Sequence, residues 1–158
     1  MRTLEFLILT AARTGETIGA RWEEFDLKAA IWTIPASRMK AAMEHRVPLS
    51  KRALEIVQVL YKIKQSDYVF PGQKEGKPLT NMAMLELLKR MERTDLTVHG
   101  FRSSFRDWAS ECTTFPRDVC EMALAHTIAS QAEAAYRRGD LIEKRRSLME
   151  EWAKHCGT

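Results

Sequence analysis

His99, Arg102 and Arg106 stand at i, i+3 and i+7, so on an α-helix one imidazole and two guanidinium groups project from the same face. Such a face can hold an anion, because Arg forks onto phosphate oxygens and His donates a further hydrogen bond. Phe101, Phe105, Trp108 and Cys112 form an apolar stripe on the other side of that helix, which predicts a core-facing surface. Three more polar groups sit in apolar surroundings. Arg13 follows the run Leu7 to Ala12, and Glu16, three residues on, is placed to orient it by a salt bridge. His126 ends Met122-Ala123-Leu124-Ala125, and Tyr136 stands between Ala134-Ala135 and Arg137-Arg138-Gly139. Singly, each has an ordinary explanation: a solvated His and Arg face, a buried ion pair, a core histidine bonded to backbone, a half-buried tyrosine.

The elements that must carry these groups follow from periodicity. Leu4, Leu7, Ile8 and Ala11 have helical spacing, Gly15-Glu16 breaks it, and a short helical turn through Ile18 and Arg21 follows. Trp22 to Leu27 and Ile31 to Ile34 read as strands about the turn Lys28-Ala29-Ala30. Arg46 to Leu49 reads as an edge strand, since Pro48 lacks the N–H that a central strand needs. Lys40 falls in or beside the turn between strands, and Arg38, Lys40, His45 and Arg46 are expected at its tip. Ser50 is placed to cap a helix through Ile63, with Leu54, Val57 and Tyr61 on one stripe and Ile56 and Leu60 beside it. Thr80 or Asn81 is expected to cap a helix carrying Met84, Leu85, Leu87, Leu88 and Met91. Further helices are expected over 99–112, 116–125, 130–138 and 141–155. In the last, Leu141, Leu148 and Trp152 share heptad spacing, and Trp108 and Trp152 are expected in the core rather than as base-stacking platforms. The predicted class is α+β, mostly α, with a small antiparallel sheet early in the chain.

At 158 residues, 45% hydrophobic and 29% charged, the chain has the composition of one globular domain and argues against disorder. No apolar run approaches the ~20 residues of a membrane span. Cys112, Cys120 and Cys156 form neither an even disulfide set nor a Cys-x-x-Cys pair, which points to a reducing cytoplasm and to thiols acting as small apolar residues. The net charge of +4 says little alone, but residues 31–65 hold seven basic and two acidic groups. A local basic patch suits a polyanionic partner.

Taken together, Arg13, Lys40, His99, Arg102, His126 and Tyr136 occur in the chain order of the tyrosine recombinases, or phage integrases. The resemblance is carried by Ala12-Arg13-Thr14-Gly15-Glu16, Arg38-Met39-Lys40, Val98-His99-Gly100-Phe101-Arg102, Leu124-Ala125-His126 and Ala135-Tyr136-Arg137-Arg138-Gly139. It extends through His45-Arg46-Val47-Pro48-Leu49-Ser50, Val69-Phe70-Pro71 and the tail from Arg145 to Ala153, and its wording is most similar to the P4 subgroup of prophage integrases. The resemblance implies a helical catalytic domain that cleaves and rejoins DNA through a 3′-phosphotyrosyl link, with Tyr136 as nucleophile. It implies Arg13 and Arg102 clamping the phosphate, His99 assisting proton transfer, His126 donating to the phosphate and Lys40 as general acid for the 5′-oxygen. Glu16 would brace Arg13, and Arg38, His45, Arg46, Arg106, Arg137 and Arg138 are candidate DNA contacts. No metal or cofactor is implied. The implied partner is double-stranded attachment-site DNA, bound by a homotetramer in full-length members and by a monomer or weak oligomer of the isolated domain. A DNA-bending host factor, an excisionase, no membrane, and residence in the bacterial cytoplasm on the nucleoid complete the expectation.

Two features depart from the family pattern. Ala11 stands two residues before Arg13, where Gly is common, which bears on the local turn. Residues 1–158 are expected to hold the catalytic domain alone, without the arm-binding and core-binding domains, so DNA affinity should be weak and salt-sensitive. The alternative is a truncated prophage remnant that keeps the fold and weak DNA binding without recombining on its own. A relaxing enzyme like the type IB topoisomerases shares the tyrosine chemistry, but the wording around Lys40 and Tyr136 disfavours it.

Overall fold

Helix α1 (Arg2–Thr10) is apolar on more than one face, and the structure is arranged around it. The computed structural model describes residues 2–126 and 140–158. Phe6 and Leu9 of α1 enter one core cluster with Trp32, Ile34, Val47, Ile56, Val57 and Phe70. Leu4 and Leu7 enter a second with Ile18, Met84, Leu88 and Val98. Ala11, just past the helix end, meets a third built on Phe105, Trp108, Leu148, Met149 and Trp152. The Trp152 indole N–H donates to the Ile8 carbonyl at 2.7 Å, so the last helix is bonded to the first.

A short helix α2 (Thr14–Ile18) follows, then a three-stranded antiparallel sheet of β1 (Phe25–Asp26), β2 (Ile31–Ile34) and β3 (His45–Pro48) in that spatial order. Trp32 faces Val47 and Ile34 faces His45 across β2 and β3, and Pro48 lies on an edge strand as its missing N–H requires. The expected strand from Trp22 to Leu27 shrinks to Phe25–Asp26, because Trp22–Glu24 winds into a 3-10 turn. That turn points the Glu24 carboxylate inward, where it accepts from the Trp32 indole N–H at 2.9 Å.

Helix α3 (Lys51–Tyr61) starts where Ser50 accepts from the Ala53 N–H at 3.3 Å, but it buries Ala53, Ile56 and Val57 and leaves Tyr61 half exposed. Helix α4 (Ala83–Arg90) begins after Met82 rather than at Thr80 or Asn81. Helices α5 (Gly100–Glu111), α6 (Arg117–Ala123) and α7 (Ile142–His155) fall where periodicity placed them. The predicted apolar stripe of α5 stops at Trp108: the helix ends at Glu111, and Cys112 is exposed. Cys156 is exposed as well, so only Cys120 behaves as a buried apolar residue. Leu148, Met149 and Trp152 of α7 are spent on packing within the chain, with Trp152 edge-on to Phe105 at 5.4 Å. The helix expected over 130–138 lies outside the described residues.

Candidate active site

Arg102 lies on the polar face of α5, yet it is 6% exposed, which sets aside the ordinary explanation of a solvated arginine. Its Nη1 donates to the Ala11 carbonyl and its Nη2 to the Leu124 carbonyl. These carbonyls belong to the ends of α1 and α6, where helix carbonyls lack partners and carry partial negative charge. Both helices end on alanine in the left-handed conformation, Ala11 at φ 49° and Ala125 at φ 47°. At α6 the turn is complete, with the Ala125 N–H on Met122 at 3.1 Å and the His126 N–H on Glu121 at 3.0 Å. The guanidinium therefore joins two helix ends, and each chain proceeds two residues further to a candidate group: Ala11 to Arg13, Leu124 to His126. Burial, and then the like charge of Arg13, push Arg102 down to about 10, still fully charged at neutral pH.

Arg13 is half-buried and paired as its spacing suggested. Its Nη1 lies 2.7 Å from Glu16 Oε1, and its backbone N–H donates to Oε2 at 2.8 Å. Arg13, Lys40 and His126 line one cleft of about 510 Å³, together with Met39, Ala41, Ala125 and Glu121. Lys40 reaches it from the exposed loop between β2 and β3 and makes no ion pair among the described residues. Met39 beside it is buried and anchors the loop base. His126 is 42% exposed, with Nδ1 held 2.6 Å from Glu121 Oε2. Neither His99, exposed at the start of α5, nor the buried Arg102 is among the residues lining the cleft. Tyr136, Arg137 and Arg138 lie outside the described residues.

The four basic groups expected at the loop tip do not gather there; only Lys40 does. Arg38 turns inward to pair with Glu24 and to donate to the Glu16 carbonyl. His45 is half-buried at the start of β3; burial, and then the charge of Arg145, push its imidazole down to about 4, so it is neutral at pH 7. Arg46 pairs with Asp140 at 2.9 Å, and Arg106 pairs with Glu121 at 2.7 Å. Among the described residues no group of His, Cys, Asp or Glu could hold a metal ion, and no helix is long and apolar enough to cross a membrane.

Three supporting residues escaped sequence reasoning. Glu24 was hidden in a segment read as strand. Arg145, 2% exposed, donates to the Arg46 carbonyl at 2.6 Å and to the Asp140 carbonyl at 2.7 Å, fastening α7 to β3. Glu121 left a signal, an acidic residue five before a histidine in an otherwise apolar run.

The chain belongs to the phage integrase family, whose model matches residues 2–140. It is 38% identical over 149 residues to the prophage integrase IntA of Escherichia coli (strain K12), a match covering 92% of this chain and 36% of that protein. It is 31% identical over 166 residues to the integrase of Enterobacteria phage P4, covering 94% of this chain and 38% of that one. The chain thus spans little more than a third of the length of these curated relatives. Among solved structures, the integrase from mycobacterium phage Brujita shares the fold with a TM-score of 0.69 at 22% identity, over 95% of this chain and 51% of that one.

Proposed function

We propose that this chain is the catalytic domain of a site-specific DNA recombinase that cleaves and rejoins DNA through a 3′-phosphotyrosyl intermediate. The observation that carries the reading is the single cleft shared by Arg13, Lys40 and His126, with Arg102 bonding together the backbone on either side of it. In the proposed step the Tyr136 oxygen bonds to phosphorus while the bond from phosphorus to the 5′-oxygen breaks. The tyrosine proton leaves with help from His99, and the Lys40 ammonium delivers a proton to the departing 5′-oxygen, which otherwise leaves as a strongly basic alkoxide. Arg13 and Arg102 stabilise the charge on the non-bridging oxygens, with a hydrogen bond from His126. A 5′-hydroxyl from a second strand reverses the step and needs no ATP, because the phosphotyrosyl bond retains the energy of the broken one. No metal or cofactor enters the scheme.

Double-stranded attachment-site DNA is the partner in this reading, with a homotetramer on DNA as the assembly of full-length members and a monomer or weak oligomer for the isolated domain. The exposed Lys40 loop supports it, since a lysine without an ion-pair partner among the described residues is available to a phosphate. Arg46 and Arg106 are available to DNA only by exchanging Asp140 and Glu121 for phosphate.

The test is a nicked suicide duplex carrying the attachment core, on which the released strand diffuses away and traps the intermediate. The full chain is expected to give a denaturation-resistant protein–DNA adduct, and Tyr136→Phe none. An adduct that survives Tyr136→Phe removes Tyr136 as nucleophile. No adduct on any core DNA, even with a core-binding domain supplied, overturns the reading in favour of a fold kept without recombination.

A further inference from the structure

We propose that Glu121 is a positioning residue for His126, whose ring it holds so that Nδ1 carries the proton and Nε2 is the atom presented to the cleft. What Nε2 does there rests on the phosphoryl-transfer reading above; the grip itself does not.

Glu121 holds His126 at two levels. Its backbone carbonyl accepts the His126 N–H at 3.0 Å, closing the turn that ends α6. Its carboxylate is divided, with Oε2 2.6 Å from His126 Nδ1 and Oε1 2.7 Å from Arg106 Nη2; Arg117 Nε approaches Oε1 at 3.9 Å. Because Arg106 stands on α5 and His126 follows α6, the carboxylate cannot turn from one partner without losing the other. Burial pushes the Glu121 carboxyl up, but the hydrogen bond from His126 and the charge of Arg106 outweigh it and hold it below the usual carboxylate range.

A carboxylate only accepts hydrogen bonds, so at 2.6 Å the Nδ1 atom must be the donor. A neutral His126 is then the Nδ1–H tautomer with its lone pair on Nε2, and a doubly protonated ring presents Nε2–H. A phosphate oxygen meets an N–H at Nε2 only in the second state, and the Glu121 charge offsets the added positive charge there. Among the described residues, the other charged groups lining the cleft with His126 are Arg13 and Lys40, both cationic, and Glu121 is the anion on its wall. The sequence Arg106–Glu121–His126 thus has the logic of an orienting group behind a working imidazole.

Two measurements on the full chain test this. Ring-nitrogen NMR of the 15N-histidine-labelled protein without DNA, above the pH at which its imidazoles titrate, is expected to show His126 as the Nδ1–H tautomer. Glu121→Ala and the shape-preserving Glu121→Gln should both shift it towards Nε2–H. A wild-type His126 with its proton on Nε2, or a tautomer unmoved by both variants, overturns the proposal. On the nicked duplex, Glu121→Ala is expected to slow adduct formation ~10-fold or more. In a His126→Ala background the same change should add nothing, since its effect runs through the imidazole. An equal loss in both backgrounds overturns the proposal. Failure of wild type to form an adduct would count against the recombinase reading and leave the tautomer measurement to decide this one.

Discussion

Arg102 and Lys40 bring positive charge to the same region from opposite structural extremes. Arg102 is buried, bonded to two carbonyls and fixed before any ligand arrives. Lys40 is exposed on a loop, above a buried Met39, with no ion pair among the described residues. On the proposed recombinase reading, the difference follows from what each charge must do. A group that stabilises charge on a phosphate works best when already oriented, because no reorganisation is then required at the moment of reaction. A group that hands a proton to a departing strand must let that strand come and go. On that reading the first contributes to folding as well as chemistry, whereas the second contributes to chemistry alone.

Substitution should separate the two. Arg102→Met leaves the Ala11 and Leu124 carbonyls without their donor and is expected to cost about 1–3 kcal/mol of stability. It should also slow adduct formation about 100-fold or more, as loss of a fixed transition-state donor does. Lys40→Ala should leave stability within about 0.5 kcal/mol while slowing cleavage on a similar scale. Denaturant unfolding beside the nicked-duplex assay reads both. Equal destabilisation by the two variants would erase the contrast.

The base of the loop gives a second, pH-dependent contrast. His45 has its pKa lowered from 6.5 to about 4 in the folded chain, so the unfolded chain takes up this proton first as pH falls. Its contribution is fully present above pH 6.5 and lost as pH falls to about 4. The loss amounts to as much as about 3 kcal/mol. Unfolding free energies between those limits should show this slope, and His45→Gln should flatten it. A slope that His45→Gln leaves unchanged would assign it to other groups.

The smallest effect concerns the arginine cradle. Ala11 holds a left-handed backbone that glycine adopts without strain. Ala11→Gly is expected to stabilise the chain by ~0.5–1 kcal/mol in thermal melts while leaving the Arg102 cradle in place. A destabilised variant would mean that the strain is offset by packing of the Ala11 methyl in the Phe105–Trp152 core.

Much of this arrangement was legible in the chain. Arg13 and Glu16 are neighbours in sequence, so their pairing needed only local geometry. The helices that carry Arg102 and precede His126 followed from periodicity. What was not legible depends on distant parts of the chain. Periodicity assigned Arg102 to the polar face of α5, and nothing local says that two helix ends meet over that face. The tip basic cluster failed for the same reason, since the partners of Arg38 and Arg46, Glu24 and Asp140, come from elsewhere. Ala11 marked a departure at the level of residue type, and the structure holds this alanine in the left-handed conformation that glycine adopts without strain.

The division of labour between the fixed arginine and the loop lysine is tested most directly by changing the leaving group. A nicked duplex with sulfur in place of the bridging 5′-oxygen departs as a thiolate, a much weaker base that needs no proton. Adduct formation by Lys40→Ala is predicted to return close to the wild-type rate on this substrate, while Arg102→Met stays slow. Rescue of both variants, or of neither, would contradict the account.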